Sequence, residues 1–239
     1  MRKIIIDTDP GQDDALALMT AFGAKQEIKV LGVTCVAGNV PLDLTSINAL
    51  KICELSGIYD VPVFKGSSAP LKRPLITAEH VHGKTGLDGP TLPDPEMPLQ
   101  KQHAVDFIIE TVRTSEAGTI TLCPLGPLTN IATAIEKAPD INEKIQEIVL
   151  MGGAYFEVGN ITPTAEFNIY VDPEAAEIVF KIDAKKDFAK KVDIIDPTIM
   201  KEMIMPWLKS AASQRTFAPS VLGPQADKII QTNKLAKKL

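Results

Sequence analysis

The chain has 239 residues, of which 45% are hydrophobic and 5% aromatic, and its formal net charge is -5. This length and apolar content suffice for one large domain with a core of aliphatic side chains. The negative charge argues against binding of nucleic acid or of an anionic membrane, but it permits a small neutral ligand. The three cysteines lack CxxC spacing, which indicates buried thiols rather than a disulfide framework or a zinc site. Because no signal-peptide pattern or membrane-length apolar run is present, we expect a cytoplasmic protein.

Predicted strands and helices alternate in chain order. Apolar runs rich in β-branched residues predict strands at 3–6, 28–36, 61–64, 119–123 and 147–151, with 192–195 as a further candidate. Helical periodicity predicts helices at 13–22, 44–55, 103–114 and 128–137, and Asp172-Pro173 marks the start of another that runs to Lys181. Repeated β–α units predict an α/β fold: a single-domain, Rossmann-like open sheet, mostly parallel, with helices on both faces.

Two stretches depart from this alternation. Residues 66–98 are rich in Pro and Gly, hold two of the three histidines and show no clean period. A loop of this length within a compact domain is usually functional or mobile. Residues 182–239 show a moderately basic helical pattern without an obvious sheet partner, although we assign the whole chain, 1–239, to one domain.

Four aspartates crowd into the turn after the first predicted strand: Asp7, Asp9, Asp13 and Asp14. In open α/β sheets, ligands bind beyond the carboxyl ends of the strands, which is where these side chains fall. Crowded carboxylates repel one another unless donors or a cation offset their charge. A hard divalent cation with oxygen ligands is the simplest such partner.

Two other interpretations of this cluster stay open. In the first, Asp13 is an ordinary helix N-cap and the other carboxylates are solvated loop acids. In the second, Asp7-Thr8-Asp9 is the strand-end DxD of a haloacid-dehalogenase-type phosphatase. The second fits less well, because Asp13 and Asp14 come too early for that family's late acidic pair and DPG replaces the usual DGT.

A family resemblance rests on segments that follow one another between residues 7 and 176: DTDPGQDDALAL, GVTCVAGNV, HGKTGLDG, LGPLTNIATAI and MGGAYFEVGNITPTAEFNIYVDPEAA. In this order they resemble the nucleoside hydrolase family, which comprises inosine-uridine-preferring and pyrimidine-specific ribonucleoside N-ribohydrolases. The first segment is close to the family's N-terminal signature. The chain after about residue 182 matches the family poorly.

The resemblance implies a Ca²⁺ site in the signature. Asp9 maps to the residue that both ligates Ca²⁺ and acts as general base on a metal-bound water. Asp14 maps to a second ligand, and the backbone carbonyl of Leu125 to a third. Asp7 maps to a supporting position behind them.

The resemblance also implies residues that contact the ribose. Amides and carboxylates suit this task, because each buried sugar hydroxyl needs a hydrogen-bond partner. Asn39 and Asn160 each follow a glycine, so the residues alone are equally consistent with plain turn positions. The full set implied for substrate binding is Asp13, Asn39, Met151, Asn160, Glu166 and Asn168.

The implied reaction is Ca²⁺-dependent hydrolysis of a ribonucleoside to ribose and free base, through a transition state with oxocarbenium character. His82 maps to a histidine that faces the base in the pyrimidine-preferring branch, and an imidazole titrates near neutrality. Without the resemblance, His82 would be an ordinary loop histidine. Family members are commonly homodimers or homotetramers.

One family feature is missing from this sequence. The family carries a late His-Asp pair followed by Pro, whose Asp ligates Ca²⁺ and whose His acts near the leaving base. Here no histidine follows His103, and no HDP occurs. Asp227 opens a candidate helix and is interpreted as a surface N-cap, while Asp193 and Asp196 do not match the family position. The alternative function is therefore a non-catalytic or weakly active protein that binds ribose or a nucleoside.

Overall fold

A computed structural model describes residues 1–89, 91–154 and 158–183. The strands are β1 (Arg2–Thr8), β2 (Ile28–Cys35), β3 (Val63–Lys65), β4 (Ile120–Pro124) and β5 (Ile145–Ile148). The helices are α1 (Gln12–Gly23), α2 (Leu42–Leu55), α3 (Glu79–His82), α4 (Ala104–Thr114), α5 (Thr129–Lys137), α6 (Phe167–Val171) and α7 (Pro173–Asp183), with a 3-10 helix at Pro139–Glu143.

The strands form a parallel sheet in the order β3-β2-β1-β4-β5. The chain moves outward from β1 to β3 and then returns to the other side of β1, so β1 lies at the point where the strand order reverses. In open α/β sheets this reversal opens a crevice at the carboxyl ends of the strands, and ligands bind there. The parallel α/β fold expected from the alternating pattern is thereby confirmed.

Helices cover both faces of the sheet, because successive side chains of a strand point to opposite faces. Ile5 of β1 is fully buried in a cluster with apolar side chains of α4, α5 and α7. Ile4 and Ile6 point the other way, into a cluster with α1 and α2. Burial of one such aliphatic side chain contributes about 1.5–3 kcal/mol, so these clusters hold β1 firmly from both sides.

Several predicted boundaries differ from the observed ones. β5 ends at Ile148 rather than residue 151, although the N–H of Met151 still donates to the carbonyl of Pro124 at 2.9 Å. Helix α1 starts at Gln12, with Gly11 at the N-cap position. The interpretation of Asp13 as an N-cap is therefore wrong, and Asp13 lies in the first turn. The short helices α3 and α6 were not predicted.

The thiols of Cys35, Cys53 and Cys123 are free, as expected. In the described part of the chain, no helix combines the length and the apolar character needed to cross a membrane.

The candidate strand 192–195 and the aspartates Asp193, Asp196 and Asp227 lie outside the described residues.

Candidate active site

β1 delivers a set of buried carboxylates to the crevice at the centre of the sheet. Asp7 ends the buried apolar run of β1, Asp9 opens the following turn, and Asp14 lies in the first turn of α1. The exposed fractions of these residues are 0%, 1% and 4%, respectively. Ionised carboxylates are rarely buried without partners, so the contacts of each one decide what the cluster can do.

The two carboxylate oxygens of Asp9 differ in their contacts. Its Oδ2 accepts the backbone N–H of Asn39 at 2.7 Å, whereas its buried Oδ1 has no hydrogen-bond partner among the described residues. Burial, and secondarily the charge of Asp14, holds the pKa of Asp9 well above its usual range. A Cβ on Gly38 or Gly126 would lie 2.1 Å or 2.3 Å from an Asp9 oxygen, so both glycines are needed for the carboxylate to fit.

Asp14 is held by short contacts within the turn. It accepts the Thr8 hydroxyl at 2.5 Å and the Gly11 N–H at 3.1 Å. Burial, followed by the nearby charge of Asp13, raises its pKa to about 7. The side-chain amide of Asn39 donates to the Asp9 carbonyl at 3.0 Å and to Asp14 at 3.4 Å, so Asn39 joins the two carboxylates.

Asp7 is buried next to the site and is bonded to residues of two other elements. Its Oδ1 accepts the Thr34 hydroxyl at 2.6 Å and the Asn130 amide at 2.8 Å. Burial raises its pKa to about 7. Asn130 also accepts the Ser67 N–H at 2.8 Å, so it ties α5 to the chain after β3. The sequence did not identify Thr34 and Asn130 as site residues, although Asn130 lies within the family segment LGPLTNIATAI.

The residues predicted to hold a metal ion fit a hard divalent cation. Asp9 and Asp14 are buried carboxylates whose negative charges would repel each other, and Asp9 Oδ1 is a buried acceptor that has no donor among the described residues. The Leu125 carbonyl lies at the end of β4, where the Leu125 N–H donates to the Asp7 carbonyl at 2.7 Å. No group of three His, Cys, Asp or Glu side chains is arranged for metal binding in the described ranges. The predicted metal ligands are two carboxylates and one backbone carbonyl, and such oxygen ligands are those that a hard cation such as Ca²⁺ prefers.

Asn168 of α6 lies beside the end of β4. Its amide donates to the carbonyls of Leu125 at 2.7 Å and Met151 at 3.1 Å, and it lies 3.1 Å from the Met151 sulfur. Because Leu125 is bonded to β1, these contacts bring Asn168 and Met151 to the same end of the sheet as Asp9.

Glu166 and Asn160 surround the start of α6. Glu166 is the N-cap, accepting the N–H groups of Asn168 at 2.9 Å and Ile169 at 3.3 Å. Burial raises the pKa of Glu166. The exposed Asn160 accepts the Phe167 N–H at 2.7 Å. Both residues thus have local structural contacts that sequence reasoning did not anticipate.

His82 lies at the end of α3, against the first turn of α1. Its Nδ1 is 2.6 Å from Gln12 Oε1 and 4.0 Å from Asp13 Oδ1. The loop that carries His82 is tied back by Asn48 of α2, whose amide donates to the carbonyls of Pro10 at 3.1 Å and Thr85 at 2.8 Å. The structure therefore brings His82 to the signature turn. Gln12 and Asn48 were not anticipated.

Fold and site together define an α/β protein with a buried carboxylate cluster at the reversal point of a parallel sheet. The family model for inosine-uridine preferring nucleoside hydrolase matches residues 4–234. The chain belongs to this family, so the resemblance seen in the sequence is confirmed.

Curated relatives match over a shorter stretch. A pyrimidine-specific ribonucleoside hydrolase, RihB of Escherichia coli, is 52% identical over 179 residues, covering 75% of this chain and 56% of the relative. An uncharacterised protein of Schizosaccharomyces pombe is 58% identical over 177 residues, covering 74% of this chain and 57% of the relative. The chain therefore spans little more than half the length of these relatives.

Solved structures show the same likeness. A purine-preferring ribonucleoside hydrolase from Gardnerella vaginalis superposes with a TM-score of 0.73 at 38% identity, covering 76% of this chain and 58% of that one. The plant nucleoside hydrolase PpNRh1 superposes with a TM-score of 0.70 at 41% identity, covering 76% and 57% of the two chains.

Proposed function

We propose that this chain hydrolyses the N-glycosidic bond of ribonucleosides in a Ca²⁺-dependent reaction, with Asp9 as general base. The observation that carries the proposal is the buried Asp9 carboxylate, in which one oxygen is fixed by Asn39 and the other has no donor in the part of the chain that the structure describes. Family membership and the likeness to RihB, named as a ribonucleoside hydrolase, support the reaction class.

Asp9, Asp14 and the Leu125 carbonyl would hold the cation. When bound, Ca²⁺ would supply Lewis-acid chemistry, lowering the pKa of water and orienting the ribose hydroxyls. The burial of both carboxylates favours the ion, because the donors Thr8, Gly11 and Asn39 offset their mutual repulsion only in part.

Asp9 takes the proton as water attacks the anomeric carbon. The Asn39 N–H fixes the carboxylate plane, so that Oδ1 is the oxygen presented to the water. As the new C–O bond forms, the N-glycosidic bond breaks and its electron pair moves to the base nitrogen. The buried carboxylates stabilise the positive charge that develops on the sugar.

The remaining polar residues would position the sugar and the base. Asp13, whose buried Oδ1 has no hydrogen-bond partner in the described ranges, suits a ribose hydroxyl. We assign the same task to Asn39, Met151, Asn160, Glu166 and Asn168. His82 would give a proton to the leaving base, which requires an imidazole that carries protons on both nitrogens before transfer.

The activity is tested on the purified chain with Ca²⁺ by release of reducing sugar from uridine and inosine. The two substrates are chosen because RihB is named pyrimidine-specific and the Gardnerella vaginalis protein purine-preferring. We expect turnover that chelation abolishes and added Ca²⁺ restores. Calcium-independent turnover, or none at high enzyme concentration, contradicts the proposal.

A second candidate function is binding of ribose or a nucleoside with little or no catalysis. It is favoured by the absence, in this sequence, of any histidine after His103. Calorimetric titration with ribose and uridine separates the two candidates: saturable binding without sugar release supports this second function.

Two further proposals concern assembly, which follows from the family resemblance, and location, which does not. We propose a homodimer or homotetramer, which light scattering after size exclusion would report as a mass of two or four times 25.8 kDa. We also propose a cytoplasmic location, which agrees with three free cysteines, because reducing compartments preserve thiols.

A further inference from the structure

The Gln12 side chain lies between the His82 ring and the backbone of the loop that carries it. Gln12 Oε1 is 2.6 Å from His82 Nδ1. Gln12 Nε2 donates to the backbone carbonyls of His82 at 3.2 Å and Asp88 at 3.5 Å. One amide therefore engages both the ring and the main chain of the loop.

These contacts determine how the amide is oriented. A carbonyl oxygen only accepts hydrogen bonds, so the Gln12 atom that faces the two carbonyls has to be the NH₂ group. A flipped amide would place Oε1 against two acceptor oxygens and would lose both bonds. Oε1 consequently faces the imidazole.

The amide orientation in turn selects the state of His82. Because Oε1 accepts and cannot donate, the Nδ1 nitrogen at 2.6 Å has to carry the hydrogen. Asp13 Oδ1, at 4.0 Å from the same nitrogen, favours the same arrangement. The proton that His82 gains or loses then belongs to Nε2.

The His82 ring is also held in place by the backbone of the signature turn. A Cβ on Gly11 would lie 2.6 Å from His82 Nδ1, so the imidazole packs directly on the backbone of the signature turn. Asn48 fixes the other part of the loop through Thr85 and contacts the same turn through Pro10. The loop backbone is therefore anchored independently of the contact between Gln12 and the ring.

We propose that Gln12 is a positioning residue that fixes His82 as the Nδ1–H tautomer and directs its exchangeable Nε2 proton toward the leaving base. The role in catalysis rests on the proposed function, whereas the tautomer does not. Gln12 would act through His82 without contacting the substrate.

The tautomer is measured by ¹⁵N nuclear magnetic resonance of the histidine rings at about pH 8, above the ordinary histidine pKa of about 6.5. The chain has three histidines, and His82→Asn identifies the signal of interest. We expect the Nδ1–H form in the wild type and in Gln12→Glu, which keeps an acceptor for Nδ1–H. In Gln12→Met we expect a shift toward the Nε2–H form that imidazole favours in water.

The matched control is Gln102→Met, which alters an exposed glutamine away from the site and should leave the His82 signal unchanged. An Nε2–H wild type, or a Gln12→Met spectrum identical to the wild type, overturns the proposal. A shift in Gln12→Glu equal to that in Gln12→Met also overturns it, because Gln12 would then act only as a donor to the loop backbone.

Kinetics provide the second readout. With uridine or inosine as substrate, we expect Gln12→Met to lower kcat about tenfold with little change in KM. A positioned general acid or base raises the rate roughly 10²–10⁴-fold, and misplacing His82 should lose part of that gain. Gln12→Glu should retain most of kcat. If the wild type releases no sugar, the proposed function fails while the tautomer measurement still decides the role of Gln12. A rise in KM with unchanged kcat in Gln12→Met contradicts the positioning role.

Discussion

At the scale of single residues, Asp9 combines burial, a fixed orientation and an oxygen that has no donor between residues 1 and 183 as far as these are described. In Asp9→Asn, the amide oxygen can still accept the Asn39 N–H, so we expect the fold to persist. Because the proposed general base is lost, we expect sugar release to fall roughly 10²–10⁴-fold. Rates and circular dichroism melting curves are compared with those of Asp60→Asn, which alters an exposed carboxylate. A variant that retains most of its activity would show that another residue is the base.

The buried carboxylates also predict an unusual dependence of stability on pH. Burial raises the pKa values of Asp7 and Asp14 to about 7, so the folded state keeps protons that the unfolded chain releases above pH 3.8. Without a cation, these two groups therefore make the folded state less stable as pH rises from 3.8 to about 7.

A cation bound by these carboxylates would reverse that trend, because it would compete with protons for the same oxygens. We expect Ca²⁺ to raise the unfolding midpoint little at pH 5 and most above about pH 7. At about 100 times its Kd the ion adds about 2.7 kcal/mol. Differential scanning calorimetry with Ca²⁺ or chelator measures the shift, and Asp14→Asn should abolish most of it. An equal shift at every pH would argue against a site built on these carboxylates.

At the scale of elements, Glu166 caps α6 and is also proposed to contact the ribose. Glu166→Gln keeps an oxygen for the N–H groups of Asn168 and Ile169, so we expect the unfolding free energy to change little. Glu166→Ala removes the cap and should cost about 1 kcal/mol. Urea unfolding gives the stabilities, and the KM for uridine gives the substrate contact. If Glu166→Gln leaves both unchanged, the carboxylate is a cap alone.

Asn48 connects α2 to the loop that carries His82. In Asn48→Ala, the carbonyls of Pro10 and Thr85 lose a buried donor, which should cost about 1–3 kcal/mol. We expect faster hydrogen exchange at residues 79–89 while the sheet stays protected. Mass spectrometry of exchanged peptides measures this, with the exposed Asp43→Asn of the same helix as control. Unchanged exchange in the loop would mean that Asn48 does not anchor it.

At the scale of the whole molecule, the alternation of strand-like and helix-like apolar patterns in the sequence predicted the parallel sheet and most of its strands and helices. It could not predict the strand order, because the pairing of β1 with β4 joins segments far apart in the chain. The five-residue α6 escaped prediction because it is too short to show a helical period and follows a run of turn-forming residues.

The site was predictable where residues cluster in the sequence and unpredictable where they meet only in the fold. Asp9 and Asp14 stand out as neighbours in one turn. Gln12, Asn48 and Asn130 contact partners 70, 38 and 123 residues away, so nothing local marks them. A single Gln or Asn within a helical pattern looks like an ordinary solvated side chain.

From the central position of β1 we infer an order in which the strands assemble. β1 can pair early with β2, which brings Asn39 to Asp9, whereas Leu125 arrives only when Lys3–Asp7 pair with Ile120–Pro124. Contacts so distant in the chain form slowly, because the intervening loop must close first. We therefore expect Ca²⁺ to slow unfolding while leaving the refolding rate unchanged, as stopped-flow fluorescence of denaturant jumps would show. The metal would stabilise the folded sheet without accelerating its formation.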